Sequence, residues 1–499
     1  MSQSLEQASV PSSPPAARGT ISSTLITVVA NIVGAGLLSL PYTIATAGLV
    51  PGVLALLATG VLNCLSAILL ARSCSLSGAG TYMELVGRVF GPGWQRWVTL
   101  LLAVYTLGSG ASYVVVLGDQ LPSLLSLVGV RGLLARQELL LPLVGVGVLY
   151  PLCLLRDLSS LRLTSSGSFA CILFCSLLIV AKAVQGPLAA PQYIVPLKAG
   201  SGVFVGLPIA LVSFTCHYNV PKFWSEFAPS GPPERKLPLF CAILLLCFLI
   251  VAACYESVAV CGYLLFGSPV HGNPSPVNPK GDILLDFGTA DAAVVVARFA
   301  LVVTQVLNFP IVFNSHRASV IGLLPLSWQH RCQGLQGSSS AGSSEGSEGA
   351  VRAEAAPLLE EAWQEGEGGS GLAEAAGSSA RSWGQWVHAE GPHWAITALL
   401  IALTVGFAVA VPNLSIILGI KGALGATLIV YAIPAALYFA LRRQQLAGGE
   451  GGKQLEGGGQ QGWAQDLWST SHGMLCLALC LWALVVMVLG VLNTFKLLG

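Results

Sequence analysis

The chain is a series of long apolar stretches separated by polar segments. Eleven of the stretches are long enough for an α-helix to cross a bilayer, which takes about 20 predominantly apolar residues. The fourth is the least regular, because Pro142 and Pro151 interrupt it. The stretches lie at 20–43, 50–72, 97–118, 138–156, 163–185, 203–221, 238–266, 291–323, 394–411, 414–441 and 473–495. The pattern predicts an all-α polytopic membrane protein with about 11 transmembrane helices.

Two long polar inserts interrupt this series. The first is dominated by Gly, Ser, Ala and Glu, so it cannot bury enough apolar surface to fold alone. The predicted segments are a disordered cytoplasmic N-terminus at 1–19, spans one to eight at 20–323, a disordered cytoplasmic loop at 324–392, spans nine and ten at 393–442, a second cytoplasmic loop at 443–470 and span eleven at 471–499.

The first insert also contains a candidate sorting signal. Leu358 and Leu359 follow Glu354 at a spacing that resembles an acidic dileucine motif, which a sorting adaptor would bind. A chance match in an acidic linker is the alternative. The pattern does not separate the plasma membrane from a lysosomal or vacuolar membrane.

Composition and charge agree with a membrane setting. Apolar residues make up 54% of the chain, charged residues 9%, and the mean hydropathy is +0.74. Soluble domains are about 25% charged. The net charge of +1 gives no basic excess of the kind that nucleic-acid binding requires. Lys and Arg concentrate in alternate loops, which predicts a cytoplasmic N-terminus.

The first apolar stretch contains a break near its middle. Gly34-Ala35-Gly36 interrupts it, and Asn31 comes just before. Membrane helices tolerate broken backbone only where it is buried in protein or faces a cavity. In many secondary transporters, unwound helices at this depth bind the substrate and the coupling ion. The break is therefore a candidate binding site.

The sixth stretch carries a second irregular segment. Pro208 removes a helix donor, and Ser213, Thr215 and His217 place polar groups in an apolar span. Its position mirrors that of the first stretch if the fold repeats after five helices. For each segment, close packing of helices through small residues is the alternative reading.

Several short motifs resemble those of the amino acid/auxin permease family, and within it the sodium-coupled neutral amino acid transporter branch. They follow one another in order from the first span to the tenth. The matching stretches are Asn31–Gly36 (NIVGAG), Leu40-Pro41, Ala47-Gly48, Gly118–Pro122 (GDQLP), Pro151–Leu158 (PLCLLRDL), Ser213–His217 (SFTCH), Gly262–Gly267 (GYLLFG), Pro412–Leu414 (PNL) and Gly422-Ala423. The eighth span reads TQVLNFP at 304–310, where the family has a Thr-rich end, so the coupling ion stays open.

The resemblance implies a leucine-transporter-type fold, with a five-plus-five inverted repeat and one extra helix. It also implies a secondary active transporter of neutral amino acids that works by alternating access. No cofactor is expected other than sodium or a proton as coupling ion. The substrate-binding residues that it implies are Ile32, Val33, Gly34, Ala35, Gly36, Ser213, Phe214, Thr215 and Cys216.

The residue chemistry agrees with a neutral substrate. An amino acid zwitterion needs donors for its carboxylate and acceptors for its ammonium, and unwound backbone supplies both. Spans one, three and six lack a central charged residue. No charged side chain is therefore needed in the pocket, and none is obvious there.

Three side chains are candidate ion ligands. Asn31 offers an amide oxygen beside the break, and the resemblance places a sodium ligand there. Thr304 and Asn308 lie one helical turn apart on the eighth span and offer further oxygens. Interhelical hydrogen bonding is the alternative role for these two.

Two further side chains are candidate proton-responsive groups. The imidazole of His217 titrates in the physiological range, although a lone His in a span is also an ordinary hydrogen-bonding residue. Glu256 is an intramembrane carboxylate, which is expensive to bury and so marks a functional site. Glu256 is expected either to form an ion pair with Arg298 or to relay a proton.

Two other classes of protein were weighed against a transporter. An enzyme is not predicted, because the sequence shows no His-Glu-x-x-His motif, no Gly-x-Ser-x-Gly nucleophile elbow between a strand and a helix, and no phosphate loop. An amino-acid-sensing receptor on the same scaffold is the remaining alternative, since sensing and transport can share one pocket.

Overall fold

The computed structural model describes residues 19–130, 132–154, 161–198, 200–229, 232–288, 291–325, 383–449 and 471–495. Within these ranges the chain is helical, and its one strand-like feature is a bridge between Gly19 and Phe227. Ten helical segments are long and apolar enough to cross a membrane, and a bent pair of helices supplies an eleventh span. The prediction of an all-α polytopic membrane protein is confirmed. Leu358 and Leu359 lie outside the described residues.

The first six spans and one connecting helix occupy the chain up to residue 226. Span one is α1 (Ile21–Ile32), a 3-10 helix (Ala35–Ser39) and α2 (Leu40–Ala47). Span two is α3 (Leu49–Ser77), and the connecting helix α4 (Tyr82–Phe90) leads to span three, α5 (Pro92–Leu127). Span four is α6 (Gln137–Val144), a π-helical turn (Gly145–Leu149) and α7 (Tyr150–Leu154); span five is α8 (Leu161–Gln185); span six is α9 (Val203–Ser213), a 3-10 turn (His217–Asn219) and α10 (Val220–Glu226).

Five more spans complete the described fold. Span seven is α11 (Lys236–Phe266), span eight is α12 (Ala292–Leu323), span nine is α13 (Trp383–Ala410), span ten is α14 (Leu414–Ile420), a π-helical stretch (Lys421–Ala432) and α15 (Ile433–Gly449), and span eleven is α16 (Ser471–Phe495). Span nine begins about ten residues before the sequence-based boundary.

The predicted break in span one is confirmed. Helix α1 ends when Val33 adopts an extended backbone, and Gly34 is also extended before the 3-10 helix begins at Ala35. The two halves of the span are bent by 47° relative to each other. The break therefore lies at the small-residue run that the sequence singled out.

Span six is also broken, but its break does not lie at Pro208. Helix α9 runs through Pro208 to Ser213, and the regular helix resumes only at Val220. Pro208 removes a single hydrogen bond close to the start of α9, a loss that this helix accommodates. The irregular backbone is instead at Phe214–Cys216.

Small residues let spans one, six and ten approach closely. A Cβ atom at Gly206 would lie 2.7 Å from Cγ2 of Thr43, and one at Gly422 would collide with the Pro208 carbonyl. The small residues of the span-six segment thus also serve helix packing, the alternative reading of that segment. The α5 and α12 pair, from spans three and eight, forms the most extensive helix contact.

Candidate functional site

A cavity of about 60 Å³ lies where the breaks of spans one and six meet. Helices of spans three, eight and ten complete its wall. The lining residues are Asn31, Ile32, Gly34, Ala35 and Gly36, then Tyr105, Ser109, Ser112 and Tyr113, then Val212, Ser213, Thr215 and Tyr218, and finally Val312, Leu418 and Lys421.

A larger cavity, of about 580 Å³, lies between spans four and nine. Tyr150 is the one lining residue with a polar side chain. Such a wall cannot satisfy both charged groups of a zwitterion. The smaller cavity is therefore the candidate functional site.

The ends of the two broken helices converge beside the candidate site. The hydroxyl oxygen of Tyr255 lies 3.2 Å from the Ile32 carbonyl oxygen, at the end of α1. It lies 3.0 Å from the Ser213 carbonyl oxygen, at the end of α9. The C-terminal end of a helix carries partial negative charge and unsatisfied carbonyl groups. This side of the cavity therefore favours a cationic group.

The second half of span one supplies hydrogen-bond donors. Its 3-10 helix begins at Ala35, and its first backbone bond runs from Leu37 N–H to the Gly34 carbonyl, at 3.3 Å. The backbone N–H groups of Ala35 and Gly36 precede that bond, and both residues line the cavity. Free N–H groups at a helix start favour an anionic group.

Span three contributes a polar face that the sequence analysis did not identify. Tyr105, Ser109 and Ser112 recur at the spacing of one side of a helix and all line the cavity. The Ser109 hydroxyl donates to the Tyr105 carbonyl oxygen at 3.0 Å. Polar residues at helical spacing within an apolar span are the signal that could have found this face.

Lys421 brings a cation into the cavity from span ten. Its Nζ donates to Oγ of Ser109 at 3.0 Å and lies 5.0 Å from the centre of the Tyr105 ring. Its stem passes Gly108, where a Cβ atom would lie 3.3 Å from Lys421 Cδ. The expectation of a pocket without a charged side chain is therefore wrong, because it considered spans one, three and six and left out span ten.

A loop covers the other end of these spans, on the face predicted to be outside. Residues 267–288, here called the outer loop, follow α11 and precede α12 in the chain. The Gly281 carbonyl accepts from the Ser39 hydroxyl at 2.5 Å, and the Lys280 carbonyl accepts from the Ser415 N–H at 3.0 Å. The loop thus joins span one to span ten beyond the cavity.

Buried carboxyl groups hold the outer loop. Asp282 Oδ2 accepts from Gln120 Nε2 of span three at 2.5 Å, and its Oδ1 accepts from Leu284 N–H at 3.0 Å. Burial, and to a smaller extent the neighbouring charge of Asp119, raise the pKa of Asp282 to about 7. Burial also raises the pKa of Asp286 to about 7. Both groups therefore change between their protonated and ionised forms near neutral pH.

Residues 17–452 match a family model described as transmembrane amino acid transporter protein. The chain belongs to this family. The resemblance drawn from the sequence motifs is therefore confirmed, and the chain is a multi-pass membrane protein of an amino acid transporter family.

Three relatives illustrate the range of this family. The chain is 26% identical over 318 residues to amino acid transporter AVT6E of Arabidopsis thaliana, and the match covers 59% of this chain and 61% of that protein. It is 25% identical over 436 residues to vacuolar amino acid transporter 6 of Saccharomyces cerevisiae, covering 85% and 90%. It is 27% identical over 333 residues to sodium-coupled neutral amino acid transporter 7 of Xenopus laevis, covering 64% and 70%.

In this member of the amino acid transporter family, most of the predicted substrate residues share one cavity. Val33, Phe214 and Cys216 are buried but do not line it. The Phe214 ring instead packs against Tyr255, with ring centres 4.9 Å apart. The residues that do line it are Ile32, Gly34, Ala35, Gly36, Ser213 and Thr215.

The three predicted ion ligands do not meet at the cavity. Asn31 lines it, and its amide oxygen accepts from Asn219 Nδ2 at 3.3 Å. The Thr304 hydroxyl donates to the Ala300 carbonyl of its own helix at 2.8 Å. Asn308 accepts from the Ser168 hydroxyl of span five at 3.0 Å, the interhelical bond considered as its alternative role. The ion site stays a prediction.

The two predicted proton-responsive groups also lie away from the cavity wall. His217 is fully buried, and its Nε2 donates to the Asn63 carbonyl of span two at 3.1 Å. Glu256 has no hydrogen-bond partner among the described residues. Arg298 donates to the carbonyl groups of Leu284 and Phe287, at 2.8 and 3.0 Å. The predicted ion pair of Glu256 with Arg298 is wrong, because the outer loop supplies the partners of Arg298.

Proposed function

We propose that this protein is a secondary active transporter of neutral amino acids, coupled to sodium or a proton and working by alternating access. The observation that carries the proposal is the pair of broken helices whose ends line one cavity. Two helix C-termini offer acceptors for an ammonium group, and the start of a 3-10 helix offers donors for a carboxylate. Family membership supports the substrate class, and the names of the relatives support ion coupling.

Contacts at the start of span one support a moving unit formed by spans one and six. At the predicted inner face, Gly19 N–H donates to the Glu226 carbonyl at 3.1 Å, and Ala228 N–H donates to the Gly19 carbonyl at 3.3 Å. The start of span one is thereby tied to the end of span six. Alternating access requires such a unit to move relative to the remaining helices.

Uptake by the purified full chain in proteoliposomes tests the proposal. A panel of radiolabelled amino acids is supplied while a sodium gradient and a pH gradient are imposed separately. We expect accumulation of one or more neutral amino acids under one of the two gradients. Binding without accumulation under either gradient would contradict transport and would favour a sensing receptor.

The Asn31→Ala variant tests the ion site in the same assay. Removing one oxygen from a site with few ligands should raise the sodium concentration for half-maximal uptake about tenfold or more. Asn219→Ala is the matched control, because it removes the hydrogen bond to Asn31 and keeps the Asn31 oxygen. An unchanged sodium activation curve in Asn31→Ala would exclude Asn31 as a ligand.

A further inference from the structure

Among the residues that the structure describes, no carboxylate pairs with the Lys421 ammonium, although it lies in a site that would otherwise suit a neutral ligand. Its Nζ makes one hydrogen bond, to Ser109, and faces the ring of Tyr105. No ion pair found among the described residues includes Lys421. An ammonium group has three donors, so hydrogen-bonding capacity remains after the Ser109 contact. Placing an unpaired cation at this depth is costly, which makes a functional role the default hypothesis.

The position of Lys421 complements the helix ends across the cavity. The carbonyl ends of α1 and α9 meet at Tyr255 of span seven, whereas the Lys421 amine is held by span three. One part of the wall therefore favours a cation, and another part carries the Lys421 amine, which is cationic when protonated. A zwitterion has the charges to match both parts, since its ammonium and carboxylate are joined by a single carbon.

We infer that Lys421 binds the carboxylate of the substrate together with the N–H groups of Ala35 and Gly36, which line the same cavity, and thereby makes a free carboxylate a requirement for recognition. This inference rests on the proposed function and specifies the ligand class of the same site. An amino acid of net charge zero offers one charged group to each part of the wall. An ester or a decarboxylated amine lacks the carboxylate and instead brings a second positive charge beside Lys421. Desolvated charge pairs of this kind contribute several-fold to several-hundred-fold in affinity.

Binding to the purified full chain, measured by isothermal titration calorimetry, tests the inference. The ligands are the tightest-binding neutral amino acid of the uptake panel, its methyl ester, and propanoate, which has a carboxylate without an amine. We expect the wild-type chain to bind the amino acid at least about 30-fold more tightly than its ester. In Lys421→Met, the amino acid should bind no better than the ester, while Lys421→Arg should keep most of the preference.

Two controls separate a specific role from misfolding. Lys182→Met also removes a lysine, but one paired with Asp291 at the outer end of span five, and it should bind all ligands like the wild type. The thermal midpoint of Lys421→Met should equal or exceed that of the ligand-free wild type, because the variant removes an unpaired charge from the membrane interior.

The outcomes distinguish this inference from the proposed function. Equal binding of acid and ester by the wild type, or an equal loss for both in Lys421→Met, would overturn it. Transport of an amino acid with unchanged affinity in Lys421→Met would overturn the inference alone. Lys421-dependent binding of propanoate without binding of any amino acid would support the Lys421 role and contradict the proposed substrate class.

Discussion

Gly36 has no side chain at the point where spans one and six touch. A Cβ atom there would collide with the Ser213 hydroxyl and lie 2.9 Å from the Ser213 Cβ. The Ser213 hydroxyl cannot simply turn away without losing its 2.7 Å bond to the Ile209 carbonyl. The contact therefore fixes how closely the two breaks approach.

The Gly36→Ala variant should lower both stability and transport. Forcing a methyl group into this contact should cost about 1–3 kcal/mol of unfolding free energy. It should also reduce uptake severalfold, because it separates the two breaks that line the cavity. Thermal melts in detergent and initial uptake rates measure the two effects.

Matched variants make this test specific. Gly406→Ala in span nine adds the same methyl group where no atom lies within 4 Å, and it should leave both quantities unchanged. Ser213→Gly should partly restore Gly36→Ala, since it clears the colliding side chain. If Gly36→Ala melted at the same temperature as the wild type, the backbones at Gly36 and Ser213 could not be in such close contact.

Among the structural elements, the outer loop depends most directly on pH. Gly281 has φ +76°, and a Cβ atom there would lie 2.9 Å from Ser415 and 3.0 Å from Ser39 Oγ, so the loop needs glycine to fit between spans one and ten. Asp282 and Asp286 have their pKa values raised to about 7 by burial. These two carboxyl groups therefore bind protons more tightly in the docked loop than in the unfolded chain.

The docked outer loop should therefore be more stable in acid. Its extra stability is fully present below about pH 4, the ordinary pKa of an Asp carboxyl, and is lost as the pH rises from there through about 7, since burial of the ionised carboxylates opposes docking. We expect amide hydrogen exchange in residues 277–287, corrected for intrinsic rates, to be about tenfold slower or more at pH 5.5 than at pH 8.

The Asp282→Asn variant should remove part of this pH dependence. An asparagine mimics the protonated carboxyl group and can still accept from the Leu284 N–H. Gln120 can present its unpaired Oε1 to the new amide. Amide hydrogen exchange of the loop in Asp282→Asn at pH 8 should then be nearly as slow as that of the wild type at acidic pH. Identical exchange of the wild-type loop at both pH values would contradict this account.

Element type and order followed from the sequence, whereas the orientation of some side chains did not. The break at Gly34–Gly36 was predictable because two glycines close together weaken a helix, and membrane proteins use broken helices to line binding sites. Lys421 begins a π-helical stretch of 12 residues, in which the 3.6-residue periodicity no longer tells which residues face inward. Arg298 was misassigned because its partners are backbone carbonyls, which carry no sequence signal.

At the scale of the whole molecule, the family match ends at residue 452, before span eleven. Span eleven nevertheless packs closely on the core, since a Cβ atom at Gly490 would lie 2.7 Å from the Pro208 side chain. The Ser201 hydroxyl donates to Asn493 Oδ1 at 2.7 Å. The extra helix is thus part of the same body as the broken span six. The five-plus-five repeat itself stays a prediction, which the opposed breaks of spans one and six support.

Sorting of the whole molecule is predicted from sequence alone. If Leu358 and Leu359 form an adaptor-binding signal, replacing both with alanine should move the protein from an endolysosomal membrane toward the cell surface. Uptake per molecule should not change. Fluorescence imaging with surface biotinylation measures the distribution, and transport in proteoliposomes serves as the control. An unchanged distribution would reduce the motif to coincidence.

The Tyr255 hydroxyl has a single hydrogen, but two carbonyl oxygens lie within bonding distance of it, on Ile32 and Ser213. The hydroxyl can donate this hydrogen to only one of the two carbonyl oxygens at a time. Whichever way the Tyr255 hydroxyl turns, one of the two carbonyl oxygens therefore receives no hydrogen from it. A ligand with an amino group carries that hydrogen with it.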